Sequence, residues 1–289
     1  MSLRVGVVIL PEHRWPAAGA LWQRAEALGF DHAWTYDHLA WRSLRDSPWF
    51  GAIPTLTAAA MVTTTIRLGP LVASPNFRHP VPLARELLTL DDISNGRLTL
   101  GIGAGGVGWD AEILGNEPWS TRERADRFAE FVALLDRLLR EPATTADGMY
   151  YEAYEARSIP GCVQQPRVPF AVAGIGPRGM RLAAQYASTW VTTGDRDSEN
   201  LDAEAGARVV AAQMRRLDVI CREGGREPAT LDRLVLLGGE LDPGLDSPDA
   251  FAATKAAYAA VGITDLVVPW PRSSEPYAGD VATFERIFS

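Results

Sequence analysis

Short continuous apolar runs alternate along the whole chain with longer stretches whose apolar residues recur at helical spacing. Val5 to Leu10 is nearly all apolar, the pattern of a strand buried on both faces. Pro16 then opens a helix in which Ala20, Leu21, Ala25 and Leu28 share a face until Gly29 stops it. The same alternation predicts strands at Phe30 to Thr35, Ile66 to Ala73, Arg97 to Gly103, Pro169 to Ala173, Thr189 to Thr193, Leu234 to Leu237 and Leu266 to Val268. Between them it predicts helices near Ile53 to Val62, Pro80 to Ile93, Ser120 to Leu139, Pro177 to Tyr186, Asn200 to Arg222 and Pro248 to Val261, with a last one ending at Phe288. Ser120 and Glu123 have capping-box spacing. Residues 144–168 break the rhythm, with Tyr150, Tyr151 and Tyr154 alternating like a small hairpin.

Repeated strand-then-helix units in one chain of this length predict a (β/α)8 TIM barrel, read as a single domain over residues 1–289. A doubly wound sheet is the alternative, because strand count does not show closure. In a barrel, chemistry gathers where the strands end at their C-terminal side. That rim collects His13 to Trp15, Asp37-His38, Ala73 to His79, Gly103 to Trp109, Gly174 to Arg178 and Thr193 to Asp195. The stretch Asn95 to Gly106 draws attention first, since Gly101, Gly103, Gly105 and Gly106 leave bare backbone at a strand end. Around Gly103, Ala104 and Gly105 such backbone lets a flat ring or a phosphate approach; a flexible loop is the plainer reading. Gly174-Ile175-Gly176 precedes a helix, whose free first-turn amides suit a phosphate, and Thr193-Gly194 on the next strand offers a hydroxyl and another amide. Two ordinary tight loops are the competing reading. No Rossmann, Walker or nucleophile-elbow spacing occurs.

Histidine changes protonation near neutral pH, so His38 is the candidate acid or base, with Asp37 beside it as an orienting group. Trp41 and Trp49 either wall an aromatic pocket or cap the barrel. His13, Trp15, Trp41, Gly106 and Trp109 are the candidate substrate-pocket residues. Arg97 follows a turn and is expected to pair with Asp91 or Asp92 in a structural role.

Composition narrows the classes. The 289 residues are 47% hydrophobic and 22% charged, enough apolar content for a large core. A net charge of −8 argues against nucleic acid or an anionic membrane surface as partner. No apolar run approaches the roughly 20 residues needed to span a bilayer, and the N-terminal segment reads as a strand and not as a signal peptide. Cys162 and Cys221 are too few for a disulfide framework or a zinc site. A cytoplasmic protein without a structural metal is expected.

Together, Arg78-His79-Pro80, Leu90-Asp91, Ser94-Asn95-Gly96-Arg97 and Leu100 to Gly105, with Trp109, Glu112, Gly115 and Arg124 downstream, resemble the bacterial-luciferase-like family of flavin or deazaflavin oxidoreductases. The resemblance implies a barrel whose mouth holds the ring of coenzyme F420 or FMN. It implies a non-prolyl cis peptide at Leu71-Val72, just before Ala73, backing that ring, and phosphate contacts at Gly174, Ile175, Gly176, Thr193 and Gly194. Asp37-His38 is similar to the Asp-His pair of the F420-dependent branch, in which the Asp touches the deazaflavin and the His serves acid–base chemistry. That branch moves a hydride between C5 of the coenzyme and a small organic substrate. The chain departs from the branch's sugar-phosphate dehydrogenases, with Gly106 in place of a Glu and Trp41 one residue early. An FMN-dependent monooxygenase with a separate reductase, and a non-catalytic binder of either coenzyme, are the alternatives. A homodimer is implied by the resemblance alone.

Overall fold

The computed structural model describes residues 3–195 and 200–289. Its strands are β1 (Arg4–Val8), β2 (His32–Thr35), β3 (Arg67–Pro70), β4 (Leu100–Gly103), β5 (Ala143–Asp147), β6 (Glu152–Arg157), β7 (Phe170–Ala173), β8 (Thr189–Thr192), β9 (Asp232–Leu236) and β10 (Asp265–Pro269). The helices are α1 (Trp15–Ala27), α2 (Ala52–Val62), α3 (Pro80–Ile93), α4 (Trp109–Glu112), α5 (Thr121–Arg140), α6 (Pro177–Tyr186), α7 (Ala203–Glu223), α8 (Pro248–Ala260) and α9 (Val281–Phe288). Eight parallel strands run in the order β3-β2-β1-β10-β9-β8-β7-β4. The ends of that row meet, since Leu68 bridges Leu98 and Ala73 bridges Ile102. This is the expected (β/α)8 barrel. β5 and β6 form a separate antiparallel hairpin, the expected excursion.

The seam between β3 and β4 is irregular for a reason written in the sequence. Pro70 has no N–H to give to a ladder, and the following Leu71–Val72 peptide is cis. Regular pairing resumes at Ala73, whose amide donates to the Gly101 carbonyl at 2.9 Å while its own carbonyl accepts from Gly103 at 2.9 Å. The facing strand has to give way. A Cβ on Gly101 would lie 2.3 Å from the Pro70 carbonyl oxygen, and one on Gly103 would lie 2.9 Å from Val72.

Alternate strand residues point inward. Val8, Trp34, Leu71, Ala171, Val191, Leu234 and Val267 share one buried cluster, while Val7, Ala33, Val172, Trp190 and Leu266 pack with the helices in a second. A polar network closes the interior at the strands' N-terminal end. Arg4 bonds Asp265 through two nitrogens at 2.7 Å each and Asp232 at 2.6 Å. Trp34 Nε1 donates to His32 Nδ1 at 2.7 Å, so His32 turns its Nε2–H toward Asp265 at 3.1 Å. His32 is therefore structural, and Gly6 opposite it leaves the room its ring needs.

The helices hold the ring in place through polar ties as well as packing. On α5, Ser120 Oγ accepts from the Glu123 amide at 3.1 Å, but the Glu123 carboxylate turns to Arg127 and does not complete a capping box. Glu26 on α1 accepts from the amides of Thr64, Thr65 and Ile66, fixing the turn into β3. Arg97 corrects the sequence reading. It pairs with neither Asp91 nor Asp92 but bonds the carbonyls of Ser94, Ile66 and Ala60 and the hydroxyl of Thr63, at 2.8 to 3.1 Å. Asp91 is spent on Val163 and Gln164. The last turn of α2 ends with carbonyls lacking helical partners, and a guanidinium with several donors satisfies them better than one carboxylate would satisfy Arg97.

Arg97→Met leaves these acceptors unpaired and is expected to cost about 2–3 kcal/mol in chemical denaturation. A second prediction concerns acid. Partial burial pushes the Glu26 carboxyl up, but the amides of Ile66, Thr65 and Thr64 outweigh it and hold it at about 2 against an ordinary 4.5. Its stabilisation is present in full above pH 4.5 and is lost as pH falls from 4.5 through about 2. The melting temperature of Glu26→Gln should accordingly be lower than wild type at neutral pH, with the gap narrowing across that acid window.

Candidate functional site

The chain leaving β2 carries Tyr36, Asp37 and His38 onto the rim, and each side chain takes a different job. Asp37 is 2% exposed. Both its oxygens are held by Arg78, at 2.7 and 3.0 Å, and Arg78 reaches on to Glu86 at 3.1 Å. Burial opposes the charge on Arg78, but the bonds and charge of Asp37 hold its pKa above the ordinary value. The pair thus locks the β3–α3 loop to the end of β2. His79, next along, accepts from the Val81 amide at 3.2 Å through Nδ1 and caps α3, and burial lowers its pKa.

His38 is the rim group left with chemistry to spare. Its Nδ1 bonds the carboxylate of Asp110. Asp110 is buried on α4, where its other oxygen accepts from the amides of Leu39 at 2.7 Å and Ala40 at 3.4 Å. A carboxylate only accepts, so the bond places the proton on Nδ1 and leaves Nε2 as the uncommitted ring nitrogen. The side chain is 31% exposed.

Aromatic groups fix the ring further. Trp41 lies nearly parallel to it at 6.4 Å between centroids, Tyr36 meets it edge-on at 6.1 Å, and Trp49 Nε1 donates to the His38 carbonyl at 2.8 Å. Trp41 is itself only 8% exposed, packed among His38, Tyr36, Trp49 and Tyr277. Trp109 stands on the neighbouring turn, its Nε1 donating to the Arg42 carbonyl at 3.3 Å under the Arg45 guanidinium. The β2 and β4 loops are therefore tied together. His13 is near Glu12, and Trp15 rests on Gly19 along the outside of α1.

The glycine run after β4 divides in two. Gly101 and Gly103 are glycine because of the Pro70–Val72 segment, and Gly105, at φ +72°, because a Cβ would sit 2.4 Å from Asn76 Oδ1. Gly106 is different. Its carbonyl accepts from Asn76 Nδ2 at 3.1 Å, yet a Cβ there would meet nothing within 4 Å. Ala104 beside it is half-buried. Along the rim, Gly174 touches Gly179 so closely that a Cβ would lie 2.9 Å from its Cα, which sets α6 tightly on β7. Gly176 caps α6 with no side-chain hydrogen bond, leaving the first-turn amides open beside Ile175. On the adjacent β8, Thr192 Oγ1 donates to Gln213 at 2.6 Å and accepts from the Gly194 amide at 3.1 Å. Gln213 Nε2 donates to the Gly194 carbonyl at 3.0 Å. Thr193 stays exposed. Gly106 and Gly176, with open space where a side chain would stand, and the exposed Thr193 make up the bare glycine ledge of this rim.

Over residues 3–236 the chain matches the luciferase-like monooxygenase family. It belongs to that family. Among its relatives, the F420-dependent glucose-6-phosphate dehydrogenase of Beutenbergia cavernae is 35% identical over 184 residues, covering 61% of this chain and 52% of that protein. The 4-hydroxyprotoasukamycin monooxygenase of Streptomyces nodosus subsp. asukaensis is 33% identical over 174 residues, 58% of this chain and 44% of that protein. The chain spans about half the length of the curated relatives it matches. In fold, the F420-dependent tetrahydromethanopterin reductase of Methanopyrus kandleri superposes with a TM-score of 0.76 at 18% identity, covering 100% of this chain and 98% of that one.

Two groups that shape this luciferase-like mouth are invisible to motif reading. Asp110 lies 72 residues from His38, and Gln213 sits at the middle of α7. Only the second left a trace in the sequence, as a lone amide between Val210, Met214 and Leu217 on a buried helix face. Asp110→Ala should free the His38 ring. A strongly downfield imidazole N–H resonance, present in the native proton spectrum and absent in the variant, is the expected sign.

Proposed function

We propose that this chain is an F420-dependent oxidoreductase that passes a hydride between the deazaflavin and a small organic substrate. The observation that carries the reading is the His38–Asp110 pair set beside the open glycine ledge. The residues present fit the coenzyme. Gly106 and Gly176 leave bare backbone with nothing within 4 Å where a side chain would stand. The uncapped start of α6 offers amide donors to a phosphate, and the exposed Thr193 hydroxyl lies on the neighbouring loop. Half-buried Val72 would back the ring, with Leu71 and Ala73 buried beneath it, and Gly103, Ala104 and Gly105 would line its edge. Relatives named for F420 support the same coenzyme.

When bound, the deazaflavin supplies a hydride acceptor or donor at C5. The protein's part is the accompanying proton. His38 Nε2 takes it from a substrate hydroxyl, or returns it in the reverse direction. Asp110 keeps the ring in one tautomer and balances the imidazolium while the proton is held. Asp37 acts through Arg78, holding the bulge loop against β2. The reading carries with it a cytoplasmic homodimer acting on a small-molecule substrate.

Titration of the purified protein with F420 and, separately, with FMN tests the coenzyme, following ligand fluorescence. Tighter binding of F420 is the expected result. Tighter binding of FMN would overturn the reading in favour of a reduced-flavin monooxygenase with a separate reductase; the Streptomyces relative is named a monooxygenase. His38→Ala should keep F420 affinity within about threefold while turnover falls by roughly 10²–10⁴. Coenzyme binding with no turnover by wild type on any alcohol or carbonyl compound would leave a non-catalytic binder.

A further inference from the structure

After β10 the chain does not turn directly into α9. Residues 271–280 first form a strap over the barrel mouth, and Arg272 holds it together. Its guanidinium bonds both oxygens of Glu12 in the β1–α1 loop, at 2.6 and 2.8 Å, and the carbonyls of Ser274 and Pro276 at 2.9 and 2.7 Å. Its backbone amide and carbonyl close the strap on Tyr277 and Gly279. Tyr277 adopts φ +71°, a left-handed conformation that a bulky side chain seldom takes unless its surroundings impose it. That backbone throws the ring across the mouth to lie 5.9 Å from Trp41, with its hydroxyl 2.7 Å from the hydroxyl of Tyr36.

Two hydroxyls carry two protons, and a single bond between them uses one. Burial decides which. Tyr36 is 4% exposed, so its proton has to be used within the protein, while Tyr277 is only half-buried. On that argument Tyr36 donates and Tyr277 accepts, which leaves the Tyr277 O–H unused by the pair. Burial raises the pKa of both phenols, and of the two nearby charges Arg42 lowers them while Glu240 raises them. Both stay protonated at neutral pH. The Tyr277 ring lies against Trp41, and Trp41 in turn packs against His38 and Trp49, which links the strap to the His38 side of the mouth.

We propose that Tyr277 is the substrate-orienting donor of the mouth, its unspent hydroxyl hydrogen-bonding an uncharged carbonyl or alcohol oxygen of the substrate. This rests on the oxidoreductase reading and adds the residue that selects for oxygen. Its test uses cyclohexanone and the oxygen-free isostere methylenecyclohexane as probes. Binding to the protein, with and without F420, is followed by saturation-transfer NMR. Wild type should prefer the ketone by roughly five- to tenfold, the worth of one hydrogen bond. Tyr277→Phe should lose that preference while its affinities for the isostere and for F420 stay as in wild type. Tyr36→Phe should keep the preference, because the Tyr277 proton is untouched. No ketone preference in wild type, or a preference that survives in Tyr277→Phe, overturns the proposal. Failure to bind F420 while the ketone preference persists would instead sink the coenzyme reading and leave Tyr277 in place.

Discussion

Closing the barrel at β3 and β4 is the constraint on which the mouth depends. Seven of the junctions are ladders of ordinary parallel pairs; the eighth runs past a proline and a cis peptide. A close approach there is possible only where the facing strand has no side chains, and Gly101 and Gly103 provide that. Beside this irregularity Val72 is left half-buried against the inner cluster, while Ala73 is fully buried on the helix side. A regular ladder at this seam would close the ring equally well but present no bulge. The site begins, then, as a defect in the sheet that the packing of two glycines makes tolerable.

Around that seam the loops are tied pairwise by buried polar bonds. Asp37 with Arg78 joins the loops after β2 and β3, and Asp110 with His38 joins those after β2 and β4. Gln213 ties α7 to the loop after β8, and Arg272 with Glu12 joins those after β10 and β1. Each carboxylate or amide makes two or more hydrogen bonds, as a buried polar group must. The loops carry the chemistry, while the barrel beneath them supplies fixed points for the ties.

The periodic elements were legible because burial imposes a period. Every barrel strand was found at the sequence level, and their ends moved by only a few residues, as from Arg97 to Leu100 at the start of β4. The hairpin at β5 and β6 showed as a break in the same rhythm. The cis Leu71–Val72 peptide follows from the family resemblance, and Gly176 shows in the sequence as a glycine opening a helix. The site was not readable where a side chain's role depends on a distant partner. Arg97 next to acidic residues invited an ion pair, yet the nearest unsatisfied groups in space were carbonyls. Trp41 follows His38 closely enough to look like pocket wall, yet Trp49 and Tyr277 cover it. The glycine run had the most to teach, since a glycine demanded by a neighbouring strand and one open to a ligand look alike in sequence.

His38 and Asp110 come from different loops, and the loop that supplies Asp110 begins as the glycine ledge itself. Gly103 to Gly106 lead straight into the short α4, so the distance from the ledge to the carboxylate is only a few residues of chain. Asp110 on α4 bonds the His38 ring and the amides of Leu39 and Ala40, so the position of that short helix and the orientation of the imidazole are fixed together.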